Sequence, residues 1–303
     1  MQGLYLGQNE SCLEKVTQDF GELRLIGKGD GAEIMIQKIE SEQVFFIEPS
    51  DSNETLEFFY VLEGSINCER DSENIVLNKG EYFYAHGLKE TVSLKTITEV
   101  TMLYLSTEPF FHYLSKGIKE LSSMVKSVEE KDIYTHSHGE RVRDYSINIA
   151  KILGLSSERL ENIAFASLCH DVGKIFVPNK VLNKPGNLTE GEFNLIKNHP
   201  LDGEKMTQGT FMKNISKIIS QHHERIDGTG YPRGLKGDEI LLEAKIIALA
   251  DSFDAMTSDR SYRKAMDMSV AFKELKSLSG IHYDEKVVEA FEKVLKEENL
   301  INN

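Results

Sequence analysis

Three cysteines in 303 residues, Cys12, Cys68 and Cys169, are too few and too scattered for a disulfide framework, which suits a reducing compartment. No run of about 18 apolar residues occurs, so no membrane-spanning helix is expected. The opening MQGLYLGQNE has neither the basic nor the apolar region of a secretory signal. The expectation is a cytoplasmic protein that does not attach to a membrane. Positive charge is also in short supply, with a net charge of −14 that is unevenly placed. Residues 1–108 hold 20 Asp and Glu against 8 Lys and Arg, whereas residues 109–303 hold 29 against 27. The acidic part would repel phosphate, so a DNA or RNA polymer is not an expected partner. The near-neutral part can take a phosphate ligand if metal ions or local Arg and Lys supply the charge. The length favours two domains.

What is present changes character along the chain. From about Gly21 to Ser106 the segments EIMIQKI, QVFFIE, FFYVLEGSINCE, IVLNKGEYFYA and EVTMLYLS are rich in β-branched and aromatic residues and alternate in part, punctuated by Gly64, Gly80 and Gly87. Short strands at this spacing suggest a small sandwich or barrel. LEFFYVLEG followed by LNKGEYFYAH resembles the cupin family, whose strands form a double-stranded β-helix. Cupins place a histidine pair before the first of these segments, but DSNETLE stands there, and His86 is the only histidine of the strand region. The resemblance therefore implies a metal-free sensory or dimerisation module over residues 1–108. After Pro109, Leu114, Ile118, Leu121 and Val125 recur at helical spacing, giving a connecting helix over 109–131 that could also pair with its copy in a homodimer. From Asp132 onward the patterns are helical: DYSINIAKIL, FNLIKN, FMKNISKIISQHH, AKIIALADSFDAM and EKVVEAFEKVLKEE. Ser156 is a candidate helix cap, and Thr189 with Glu192 has capping-box spacing. The expected fold is α+β and multidomain: an all-β barrel, a helix, and an all-α domain over 132–303.

Seven potential metal ligands lie in the helical part: His138, His170, Asp171, His199, His222, His223 and Asp251. Each has a plain alternative on its own. His138 can be a surface residue, His199 can cap a helix end, and Asp251 can begin a loop. Three placements resist that reading. In ASLCHDVGK an apolar helix ends in His170-Asp171, and an imidazole and a carboxylate at a buried helix end are costly without a partner. His222-His223 closes the apolar KIISQHH, and Asp251 follows the apolar AKIIALA. Neighbouring helical residues point about 100° apart, so the histidine pair is expected to flank a cluster broader than one ion. Imidazole and carboxylate without thiolate suit Fe, Mn or Zn more than Mg or Ca. Seven ligands exceed one tetrahedral ion, so a two-metal site with a bridging hydroxide as nucleophile is the economical reading. Cys169 reads as a small core-facing residue. Lys174 follows Asp171 by three residues and can face the same site, or it can be a solvated helix-end lysine. Arg260 and Arg263 can share a helix face and offer planar donors to phosphate, or can bridge Asp254 or Asp259 at the surface.

HDVGK, NHP at 198–200, HHERIDGTGYP and ALADSFDAMTSDRSYRKA resemble the HD-GYP family of phosphohydrolases, from about Asp132 to Phe291. The resemblance implies a helical domain that binds two or three metals and hydrolyses cyclic di-GMP to pGpG, GMP or both. It implies the seven residues above as metal ligands, with Asp171 and Lys174 at the catalytic centre. It implies substrate contacts from Lys174, Arg260, Arg263 and the Gly230-Tyr231-Pro232 element, where Tyr231 either touches a guanine or braces the loop. Three-metal members carry a glutamate four residues before the histidine matching His138. Tyr134 stands there, which implies two ions, Fe or Mn. Phe176, Asn179 and Ile240-Leu241-Leu242 also depart from the family pattern and bear on substrate fit rather than on the metals. Two further readings are a hydrolase of another cyclic dinucleotide or nucleotide, and a non-catalytic receptor for cyclic di-GMP. In the leading reading residues 1–108 regulate the helical part.

Overall fold

The computed structural model describes residues 4–8, 11–18, 21–50, 54–70, 73–131, 137–208, 213–259 and 264–301. The chain forms two compact units, Met1–Ser122 and Ser123–Asn303. No helix among the described residues is long and apolar enough to cross a membrane.

The first unit is antiparallel β. A six-stranded sheet has the order β1 (Glu14–Gln18), β2 (Gly21–Gly29), β3 (Ala32–Ile39), β10 (Val100–Ser106), β5 (Leu56–Glu63), β8 (Tyr82–His86). A four-stranded sheet has the order β4 (Val44–Ile47), β9 (Val92–Thr96), β6 (Ser65–Arg70), β7 (Glu73–Asn78). Two of the apolar runs that read as single segments are each broken between sheets. FFYVLEGSINCE crosses from β5 to β6 at Gly64, where φ is +86° and a Cβ would lie 2.2 Å from the Glu99 carbonyl oxygen. IVLNKGEYFYA crosses from β7 to β8 at Gly80, where φ is +89°. Only glycine takes this conformation cheaply, so the two residues act as corners between sheets. Alternation along β10 turns Val100, Met102, Tyr104 and Ser106 inward. Phe59 stacks between Phe83 and Tyr104, with ring centroids 4.7 and 4.4 Å away. The strands β1 and β9 lack a strong apolar signal and were not expected from the sequence.

The helix expected after Pro109 is α1 (Phe111–Glu129), although the side chains of Leu114, Ile118 and Leu121 lie outside the described residues. The second unit contains α2 (His138–Ile152), α3 (Ser157–Cys169), α4 (Asn179–Leu182), α5 (Glu190–Lys197), α6 (His199–Gln208), α7 (Ser216–Gln221), α8 (Leu242–Thr257), α9 (Met268–Ser277) and α10 (Glu285–Glu297). Helix α8 is apolar on nearly every side and buries Ala244, Ile246, Ile247, Ala248, Leu249, Ala250 and Phe253, which makes it the central helix. Phe291 of α10 meets Phe253 edge to face at 4.9 Å. The Thr189–Glu192 capping box is present. Ser156 occupies the N-cap position of α3, but its side chain makes no capping hydrogen bond, so that expectation is corrected. The periodic run FMKNISKIISQHH also gives less helix than its pattern suggests: residues 213–215 form a 3-10 turn, α7 ends at Gln221, and residues 209–212 lie outside the described residues.

Candidate metal centre

The ligand-type side chains sit at helix ends and at the middle of the central helix. His138 opens α2, and Asp251 lies within α8 rather than at the start of a loop. His170 caps the end of α3, and Asp171 precedes the 3-10 turn Val172–Phe176. His199 is the first residue of α6, and His222 caps the end of α7 with His223 next. Two glycines allow the turn and α6 to touch. A Cβ on Gly173 would fall 1.9 Å from the His199 carbonyl oxygen and 2.7 Å from the Gly203 nitrogen. That close approach sets Asp171 beside His199.

The ligand atoms form two groups, each with all its atoms within 4.8 Å of one another: Asp171, His199, His222 and His223 in one, and His138, His170 and Asp251 in the other. Asp171 adjoins both. Its Oδ1 lies 3.2 Å from His199 Nε2 and its Oδ2 lies 3.4 Å from His170 Nε2. Across the second group, Asp251 Oδ1 lies 3.3 Å from His138 Nε2 and 4.0 Å from His170 Nε2. His222 and His223 stand at a helix end, within a set of ligand-type atoms broader than one group. The chain leaves the helix at this pair, the rings stand 4.0 Å apart, and both belong to one group.

Hydrogen bonds orient three of the imidazoles in the same sense. Nδ1 of His170 donates to the Ser167 carbonyl (2.6 Å), that of His199 to Ile196 (2.7 Å) and that of His222 to Ile219 (2.6 Å). A carbonyl only accepts, so each Nδ1 carries a proton and each ring turns its Nε2 inward. His199 and His222 direct these nitrogens at each other across 3.3 Å. His170 Nε2 is buried and makes no hydrogen bond. Burial lowers the pKa of His170, brings that of His222 to about 3, and holds that of His223 well below its ordinary value. Burial pushes the Asp171 carboxyl up, but Lys174 and the neighbouring imidazoles outweigh it and hold it well below the usual range. The same balance, with His138 the main opposing partner, holds Asp251 low. Converging ring nitrogens, an orphaned buried Nε2 and ionised carboxylates in the interior fit divalent cations. Cys169 is buried and its thiol is pushed up to about 12, so it is not a thiolate donor.

Lys174 places its Nζ 2.6 Å from Asp171 Oδ2, at the mouth of the cluster. The loop after His223 folds back on it. Buried Glu224 accepts from the Arg233 and Leu235 amides (2.7 and 2.9 Å), Thr229 N–H donates to Asp227 Oδ1 (2.9 Å), and Tyr231 N–H donates to the His223 carbonyl (3.1 Å). The peptide bond between Tyr231 and Pro232 is cis. The Tyr231 ring lies 4.7 Å from the His223 ring and 6.4 Å from exposed Phe193, with Lys197 Nζ 4.8 Å from the Phe193 centroid and 5.7 Å from that of Tyr231. Arg260, Arg263 and Tyr134 lie outside the described residues. Asp254, one alternative partner for those arginines, is bonded by Arg141 and His138. Sequence reasoning named Asp254 only as a surface partner for Arg260 or Arg263, and it passed over Arg141, Glu224, Phe193 and Lys197. The spacing common to His138/Arg141 and Asp251/Asp254 was the available signal for Asp254 and Arg141.

Residues 122–287 match the family model described as HD domain. The cyclic di-GMP phosphodiesterase of Thermotoga maritima is 41% identical over 200 residues, covering 65% of this chain and 54% of that protein. The 3'3'-cGAMP-specific phosphodiesterase 1 of Vibrio cholerae is 38% identical over 170 residues, covering 54% of this chain and 39% of that one. The Cupin_2 domain of an XRE family transcriptional regulator from Enterobacter cloacae aligns over 30% of this chain and 99% of its own, with 14% identity and a TM-score of 0.26. The chain spans about half the length of the curated relatives it matches. With more than half of its length matched by one family model and the HDVGK and HHERIDGTGYP motifs at the centre described above, the chain belongs to the HD-domain family, in its HD-GYP branch.

Proposed function

We propose that the helical unit is a metal-dependent phosphodiesterase that opens cyclic di-GMP to pGpG, GMP or both, served by two divalent ions, iron or manganese. The observation that carries this reading is the convergence of seven nitrogen and oxygen ligands on two groups that adjoin at Asp171. The names of relatives in both groups of enzymes supply the substrate class. His138, His170 and Asp251 would hold one ion and His199, His222 and His223 the other, with Asp171 between them. Bound there, divalent ions would act as Lewis acids on a phosphoryl oxygen.

The chain's own groups do the rest. Lys174 sets an ammonium beside Asp171, where it offers a positive charge to the scissile phosphate or to the leaving oxygen. Glu224 holds the loop so that Tyr231 packs on His223, and Tyr231, Phe193 and Lys197 then form an aromatic and cationic path leading outward from the cluster. A guanine base can stack on the exposed Phe193 ring while Lys197 faces the backbone phosphate. Arg260 and Arg263 are assigned to substrate phosphates on the sequence resemblance alone. Residues 1–108 supply none of these side chains, so their role in this reading is control.

Protein loaded with Fe or Mn without oxygen should linearise cyclic di-GMP. Phe193→Ala should raise KM about tenfold with metal content unchanged, from the loss of one stacking surface. A panel that includes 3'3'-cGAMP identifies the preferred base pair. Tight binding of cyclic di-GMP by the loaded protein with no turnover of any nucleotide would overturn the enzyme reading in favour of a receptor.

A further inference from the structure

We infer that Asp254 and Arg141 form a positioning couple for His138, and that this couple gives the His138–His170–Asp251 group its affinity for an ion. The inference rests on the two-ion reading above. Two helix faces meet here in the same pattern. His138 and Arg141 stand one turn apart on α2, and Asp251 and Asp254 one turn apart on α8. Each helix thus presents a ligand-type residue and, a turn later, one member of the couple: Asp254 pairs with His138 on the opposite helix, and Arg141 pairs with Asp254. Asp254 is 2% exposed, and both its oxygens are engaged. His138 Nδ1 donates to Oδ2 (2.6 Å), and Arg141 donates from Nε to Oδ1 (2.5 Å) and from Nη2 to Oδ2 (3.0 Å). Arg141 Nη2 also donates to Ser258 Oγ (3.1 Å), which ties the guanidinium to the end of α8.

His170, His199 and His222 rest Nδ1 on a neutral backbone carbonyl, whereas His138 rests it on a carboxylate. A carboxylate is the stronger acceptor. It fixes the tautomer with Nε2 facing Asp251 and makes that nitrogen a better donor to a metal. Arg141 has a separate task. By occupying Asp254 it keeps this carboxylate from turning into the cluster as a further anionic ligand. The couple acts through His138 and touches no reacting atom.

The test is metal content and manganese spectroscopy on the full chain, with Asp254→Asn and with Arg141→Gln. Arg141 is 41% exposed on its side chain, so the second variant spares the core and remains informative if Asn at 254 misfolds. Wild type should bind two equivalents and show an exchange-coupled Mn(II) signal. Asp254→Asn should weaken one of the two ions about 10–100-fold, replacing the coupled signal with a mononuclear one at limiting metal. Excess metal should restore kcat, with KM for cyclic di-GMP unchanged, and Arg141→Gln should shift in the same direction by less. Two ions held with wild-type affinity in both variants would overturn the inference. So would equal loss of both ions with a lowered melting temperature of the metal-free protein, because that marks a structural role alone. A wild type that binds no metal would overturn the two-ion reading itself and this inference with it.

Discussion

The buried Nε2 of His170 makes no hydrogen bond, and the Nε2 atoms of His199 and His222 face each other across 3.3 Å, an arrangement of buried imidazoles that a cation would stabilise. Lys174 sets an ammonium against this cluster through Asp171. Lys174→Met should therefore keep both ions yet lower kcat about 10²–10³-fold with little change in KM, as expected for a group that meets developing charge. Steady-state kinetics beside metal analysis check this, and an unchanged kcat would return Lys174 to the role of a solvated helix-end lysine. The seven clustered side chains were legible in the sequence as candidate ligands because imidazoles and carboxylates interrupt apolar helices. Asp254 was not, since its partners His138 and Arg141 lie 116 and 113 residues away and nothing local marks it as buried. Phe193 and Lys197 were hidden for the same reason, because the ring they face belongs to a distant loop.

Among elements, the contact of the 3-10 turn with α6 positions the centre most directly. Gly173→Ala would force a methyl into the His199 carbonyl, with only backbone there to give way. The expected cost is about 1–3 kcal/mol of stability, with a loss of metal affinity as His199 moves off Asp171. Thermal unfolding and metal titration of the same sample check both effects, and full metal binding in this variant would show that the contact does not set the site. The capping box at Thr189 was readable because its chemistry is local. Gly64 and Gly80 were visible as punctuation of the strands, but the shortness of α7 was not, because periodicity persists past the point where the helix ends.

For the whole chain, the β-then-α order could be read from composition and periodicity. The buried polar pair within the first unit could not. Tyr104 donates its hydroxyl to Glu57 on the neighbouring strand, and burial raises the Glu57 pKa above its usual value despite that bond. A raised carboxyl pKa in the fold means the protonated form is favoured there. Its contribution is present below the unfolded pKa and is lost as pH rises through the folded one. Stability of the first unit should thus fall from mildly acidic toward neutral pH, and Glu57→Gln, which keeps an acceptor for Tyr104, should flatten that slope. Urea unfolding followed by tyrosine fluorescence reads it, and an identical slope in the variant would contradict the assignment.

The central claim is that Asp171 joins two metal sites, and the most direct measurement is metal content per chain in anaerobically purified wild type and Asp171→Asn. The account predicts two equivalents in the wild type and loss of both ions from a variant that still folds, because the lost carboxylate adjoins each group. A variant that keeps two ions, or a wild type that never holds more than one, would contradict it.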